Sequence, residues 1–199
     1  MASDAASGPS AAPSRREMIL EAAAQLFFDR GFAATGIDDI GTAVGVTGPA
    51  FYRHFKSKHD LLVALVERAV ERLQSVVDRA LDEADGDAER ALQLMAEFGA
   101  AACVDDGPLT AIYTQEARDL QPDERTRLNR LHRRMRDAWV RTLGELRPHL
   151  SEDELRLAIH AISGLQTSVA TYHGDLPPER QREVLARMTL SALHWEDPA

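Results

Sequence analysis

Between Thr47 and Lys58 the chain reads TGPAFYRHFKSK. The residue types in this stretch suit polyanion recognition. Thr47 offers a hydroxyl to a base edge or a phosphate. Gly48 and Ala50 are small enough to let backbone approach base edges. Tyr52, Arg53 and His54 supply phosphate or base-edge contacts, and Lys58 is placed to reach backbone phosphate together with the free N–H groups of a helix start. Phe51 and Phe55 read instead as anchors to neighbouring helices. Lys56 and Lys58 are the only lysines in the chain, and Arg53, His54 and His59 lie beside them.

The elements that position these groups are short. Ser14 caps a first helix with Glu17 three places on, and Ile19, Ala22, Ala23, Leu26 and Phe27 recur at helical spacing until Gly31 ends it. A second helix begins at Thr35 with Asp38, or at Gly36 with Asp39, and turns Ile37, Ile40 and Val44 inward. Gly45 allows a sharp turn. Thr47 then caps a third helix through about Phe55, with Pro49 in its first turn, where a missing N–H costs little. Three helices with a tight turn before the last make a helix-turn-helix, whose final helix suits the major groove of duplex DNA.

In order along the chain stand Gly31-Phe32, Thr35, Ile40-Gly41, Val44-Gly45-Val46-Thr47 and Tyr52-Arg53-His54-Phe55-Lys56-Ser57-Lys58. That series resembles the DNA-binding head of TetR-type transcriptional regulators over about residues 15–62. The resemblance implies a repressor-like homodimer on a palindromic operator, released from DNA by a small molecule held in the C-terminal domain. By motif position it gives DNA-contact roles to Thr35, Thr47, Tyr52, His54 and Lys58, and places Gly48 and Ala50 on the reading helix. Five positions depart from the family pattern. Gly41 and Val44 stand for alanines, Pro49 for a glycine, His59 for a glutamate and Gly36 for a hydroxyl residue.

The chain has 199 residues and a net charge of −9. Residues 1–60 are close to neutral and the acidity lies later. An acidic bulk around a local basic edge limits non-specific DNA binding without preventing specific binding. Cys103 is the only cysteine, which excludes an internal disulfide and a cysteine metal cluster. No secretory signal pattern and no apolar run near 18 residues occur, so a reduced cytoplasmic protein without membrane association is expected.

The expected fold is all-α with about nine helices. A flexible lead covers residues 1–13, a helix-turn-helix head residues 14–58, and a helical ligand-binding and dimerisation bundle residues 59–199. Leu155, Ala158, Ile159, Ile162, Leu165 and Val169, and Val184, Leu185, Met188, Ala192 and Leu193, make broad apolar faces that serve a core, a dimer axis, or both. Met95, Phe98, Cys103, Tyr113, Glu116, Trp139, His160 and Thr167 are candidates for an effector pocket. The arginine-rich seventh helix suggests an acyl-coenzyme A near Arg127, Arg130 or Arg134, with a neutral drug-like or aromatic effector as the alternative. His160, His173, Asp175 and His194 sit at no recognised ligand spacing, and Ser163 and Ser168 have no nucleophile-turn context, so neither an enzyme, a metal nor a cofactor is expected. A pure interaction protein of the same fold is the remaining rival.

Overall fold

The computed structural model describes residues 13–116 and 120–195, so the expected flexible lead lies almost wholly outside the described residues. Among those residues it holds nine α-helices and one 3₁₀ turn, and it divides into two compact units between Lys58 and His59.

In the first unit, α1 spans Arg15–Arg30, α2 Ile37–Val44 and α3 Gly48–Phe51. Helix α1 starts at a reciprocal cap. Ser14 N–H donates to Glu17 Oε2 (2.6 Å), and Ser14 Oγ accepts from Glu17 N–H (3.2 Å). Of the two starts open for α2, the second is used: Gly36 N–H donates to Asp39 Oδ2 (2.8 Å). Thr35 is 1 % exposed just before it, and its hydroxyl donates to the carbonyls of Gly31 (3.0 Å) and Leu26 (3.2 Å). Thr35 therefore ties the end of α1 to the start of α2.

Gly45 ends α2 in the left-handed region at φ +65°, and Val46 N–H reaches back to the Gly41 carbonyl (2.8 Å). That six-to-one bond is a Schellman closure, and glycine adopts its geometry without a Cβ clash. Gly41 has its own reason to be glycine. A Cβ there would stand 2.4 Å from the Val46 carbonyl oxygen. Ile19, Phe27, Ile40, Phe51 and Phe55 form the buried centre of this unit.

Helix α3 is shorter than its sequence suggests. It ends at Phe51, and the chain continues to Phe55 in hydrogen-bonded turns, with His54 and Phe55 N–H both donating to the Phe51 carbonyl. Tyr52, Arg53 and His54 thus project from a turn that follows the helix. Burial of both Phe51 and Phe55 sets this geometry, because the turn must bring two rings four residues apart into one core.

The second unit contains α4, which starts at Lys58 and runs to Ala84, α5 Ala88–Asp105, α6 Gly107–Glu116, α7 Pro122–Leu146, α8 Glu152–Thr167 and α9 Pro178–Leu193. Helix α5 is the axis of the bundle: it packs against α7, α8 and α9 and buries Leu92, Leu94, Met95, Ala96, Ala100 and Cys103. Asp87 caps α5 through the Arg90 amide, and Ser151 with Glu154 caps α8 as the sequence suggests. The sequence also reads as one helix from Ser151 to His173, but α8 stops at Thr167 and tightens into the 3₁₀ turn Ser168–Thr171. The Thr167 and Ser168 hydroxyls donate to the carbonyls of Ser163 and Leu165, and such back-bonding competes with regular helix geometry. No helix among the described residues is long and apolar enough to cross a membrane.

Candidate nucleic-acid interface and effector site

The edge running from Thr47 to Lys56 faces solvent. Thr47, Arg53, His54 and Lys56 are exposed, Gly48 and Ala50 are half-buried, and Tyr52 is 56 % exposed. The Tyr52 ring stands edge-on to the buried Phe51 ring, with centroids 5.6 Å apart. Phe51 therefore holds the base of Tyr52 while its hydroxyl end stays in water. Arg16 lies over the Phe55 ring at 5.0 Å, and Arg15 donates to the Val44 carbonyl (3.3 Å). Neither arginine stood out in the sequence, because their partners are a ring and a carbonyl distant along the chain.

Two of the expected contact residues point elsewhere. Thr35 is buried with its hydroxyl used internally, as described above. Lys58 turns its ammonium onto the loop after α1, donating to the carbonyls of Phe32 (2.7 Å), Thr35 (2.9 Å) and Ala33 (3.4 Å) and lying 4.5 Å from the Phe32 ring centroid. Carbonyl oxygens converging from one loop satisfy the three donors of an ammonium. In this structure Lys58 is a clip for the α1–α2 loop, so the cations of the edge are Arg53 and Lys56, with the His54 ring beside them. Lys58→Met is expected to lower the stability of the head by about 1.5–3 kcal/mol, the range for hydrogen bonds to charged groups. Urea unfolding of the DNA-free protein checks this. Unchanged stability with lost DNA binding would return Lys58 to a phosphate role.

The expected pocket residues do not form one cavity. Met95, Cys103, Trp139 and Thr167 line a void of about 30 Å³ enclosed by α4, α5, α7 and α8. Tyr113 lies instead in a more open groove of about 290 Å³, with Leu120, Arg125, Asn129 and His132. Phe98 is half-buried under the Arg79 guanidinium at 4.2 Å, Glu116 is the last residue of α6, and His160 is exposed on α8. Burial pushes the Cys103 thiol up to about 12, so it stays protonated.

Two residues that sequence reasoning passed over are prominent here. His132 and Arg136 share the face of α7 that carries Leu128, Met135 and Trp139, and a basic group on an otherwise apolar face was the available signal. Tyr113 Oη and His132 Nε2 are hydrogen-bonded at 2.9 Å. Burial, with the Arg136 charge acting in the same direction, lowers His132 to about 4 from an ordinary 6.5, and burial raises Tyr113. The pair is neutral at pH 7. Between pH 6.5 and 4 the unfolded chain holds a proton on His132 that the folded chain refuses, so stability falls as the pH drops through that window. A urea midpoint that declines there in the native chain, and declines less steeply in His132→Gln, is the expected outcome. Identical slopes in both proteins would assign the effect to other groups.

The family model for bacterial regulatory proteins of the tetR family matches residues 19–65, the stretch that contains this interface. The transcriptional repressor KstR2 of Mycolicibacterium smegmatis is 33 % identical over 156 residues, covering 73 % of this chain and 74 % of KstR2. The transcriptional activator FasR of the same organism is 45 % identical over 67 residues, but the match covers 34 % of this chain and 31 % of FasR. The crystal structure of PfmR from Thermus thermophilus, a TetR family regulator, superposes with a TM-score of 0.77 at 26 % identity, over 90 % of this chain and 99 % of PfmR. A helix-turn-helix head with an exposed basic edge, a helical bundle behind it in sequence, and similarity spanning both lead to one assignment: the chain belongs to the TetR family of DNA-binding transcriptional regulators.

Proposed function

We propose that the protein is a ligand-responsive repressor that binds a palindromic operator as a homodimer and acts without enzymatic chemistry. The observation that carries this reading is the exposed Thr47–Lys56 edge set on the Schellman-closed turn at Gly45. One turn of helix and the turn after it touch few base pairs, and a two-fold pair of heads doubles that contact. Support for self-association comes from α8, α9 and the chain between them. Leu157 is 68 % exposed, Met188 51 %, Tyr172 50 % and Leu176 37 %, a set of large apolar groups that a second copy would cover. KstR2 is a repressor and FasR an activator, so relatives act in both directions. Repression is the simpler outcome for a protein that occupies an operator until an effector arrives.

The effector reading rests on the bundle. Helix α4 runs unbroken from Lys58 to Ala84 and lends Leu73, Val76 and Val77 to the interior void, so an effector that enlarges the void acts on that helix. Of the three arginines suggested for an acyl-coenzyme A, Arg127 is paired with Glu67, while Arg130 and Arg134 are exposed. A thermal-shift series comparing acyl-coenzyme A esters with neutral aromatic compounds separates those two effector classes.

Sedimentation at micromolar concentration tests the dimer, with a monomer at every concentration as the contrary result. Titration of operator DNA at several salt concentrations tests the phosphate contacts. Four phosphate contacts would weaken binding roughly a hundredfold between about 50 and 200 mM salt. A flat salt response would remove Arg53 and His54 from the interface.

A further inference from the structure

The void inside the bundle has a mixed wall. Met95, Met135, Trp139, Ile159 and Ile162 make most of it apolar, and Arg136 closes one side, with Gln166 as a second polar lining residue. The Arg136 Nε is buried and has no hydrogen-bond partner. Several other arginines of this unit are paired, Arg72 with Asp106, Arg127 with Glu67, Arg156 with Asp137 and Arg182 with Asp105, while Arg147 also has a buried, unpartnered Nε but does not line this void. Arg136 forms no salt bridge with any carboxylate among the described residues, although its charge is strong enough to bear on both Tyr113 and His132.

A guanidinium cannot shed its proton in a protein, and Arg136 is half-buried with its Nε out of reach of solvent, so that N–H is in need of an acceptor. A water has room in about 30 Å³ and would satisfy the N–H, but it brings no countercharge to the guanidinium. A negatively charged ligand answers both. Most of the remaining lining is hydrocarbon and indole, with the Cys103 thiol and the Ser163 and Thr167 hydroxyls as small polar points, which fits a mainly apolar body attached to that charge. The void is too small for such a body as it stands. Met95 and Met135 flank it, and unbranched methionines repack at low cost, so the wall contains the groups that can make room.

We propose that Arg136 is the anion anchor of the effector site and that the effector is an amphipathic acid, one carboxylate on an apolar chain or ring. This rests on the ligand-responsive reading above and narrows it. It also moves the anionic contact from the exposed arginines of α7 to one that faces the interior.

Isothermal titration of the full-length chain at pH 7 with decanoate and 4-phenylbutyrate, each against its primary amide, tests it. The acids are expected to bind roughly tenfold or more tightly than the amides, the advantage of a charge-assisted bidentate contact. Arg136→Gln is expected to abolish that preference, and Arg136→Lys to retain part of it. Equal binding of acid and amide, no binding of either, or a preference that survives Arg136→Gln overturns the proposal. So does a response to decanoyl-coenzyme A without one to decanoate. The acid–amide comparison in the native protein decides the matter even if a variant fails to fold. Binding of the same preparations to DNA flanking the gene separates the two levels. DNA binding without acid preference removes only the anchor, whereas loss of both removes the regulator reading.

Discussion

Replacing Phe51 by Ala is expected to remove about 3–5 kcal/mol from the N-terminal head and specific DNA binding with it. The Phe51 ring is fully buried, packs 5.8 Å from Phe55 and carries Tyr52 edge-on. It also lies at the hinge of the hydrogen bonds that shape the edge, since its carbonyl accepts from both His54 and Phe55. Truncation leaves a ring-sized cavity in a unit of fewer than sixty residues, where no second core can compensate. Hydrogen exchange read residue by residue checks this. Amides in α1 and α2 should lose protection, and native protection in the variant would show that the reading edge stands without its anchor.

Gly41→Ala is expected to be damaging as well, which a comparison of residue types would not suggest. Alanine is the usual residue at this place in the family the chain resembles, and it is the better helix former. Here the added methyl would lie 2.4 Å from the Val46 carbonyl oxygen, and that oxygen is backbone in the turn that aims α3. The turn must shift, at a cost of about 1–3 kcal/mol, and Thr47 and its neighbours shift with it. Thermal unfolding together with operator affinity tests the claim. A variant with native melting and native affinity would show that the Gly45 turn relaxes freely.

The legibility of this molecule in its sequence follows the range of the interactions. Caps and turns are local, so Ser14 with Glu17, Ser151 with Glu154 and the glycine turn at Gly45 could be read directly. The exposed positions of Thr47, Tyr52, Arg53 and His54 followed from their spacing around Phe51 and Phe55. The inward turn of Lys58 did not, because its acceptors lie 23 to 26 residues earlier and are backbone carbonyls, which no side-chain pattern reveals. Thr35 was ambiguous for the same reason. In the bundle, periodicity identified buried faces but not the distances between helices. Met95, Cys103, Trp139 and Thr167 therefore meet at one void, while Tyr113, Phe98, Glu116 and His160 lie away from it. Arg136 escaped notice among the many arginines of α7. Only packing distinguishes Arg136, whose Nε is buried at the wall of a void, from those that face water.

The central claim is that the Thr47–Lys56 edge enters the major groove and is held there by nearby phosphates. Footprinting of the DNA flanking the gene tests it most directly. The account predicts a protected palindrome whose two half-sites both lose protection when their sequence is scrambled, and a footprint that disappears in an Arg53→Ala, His54→Ala double variant of native helicity. Protection that survives scrambling of both half-sites, or a footprint unchanged in that variant, would contradict it.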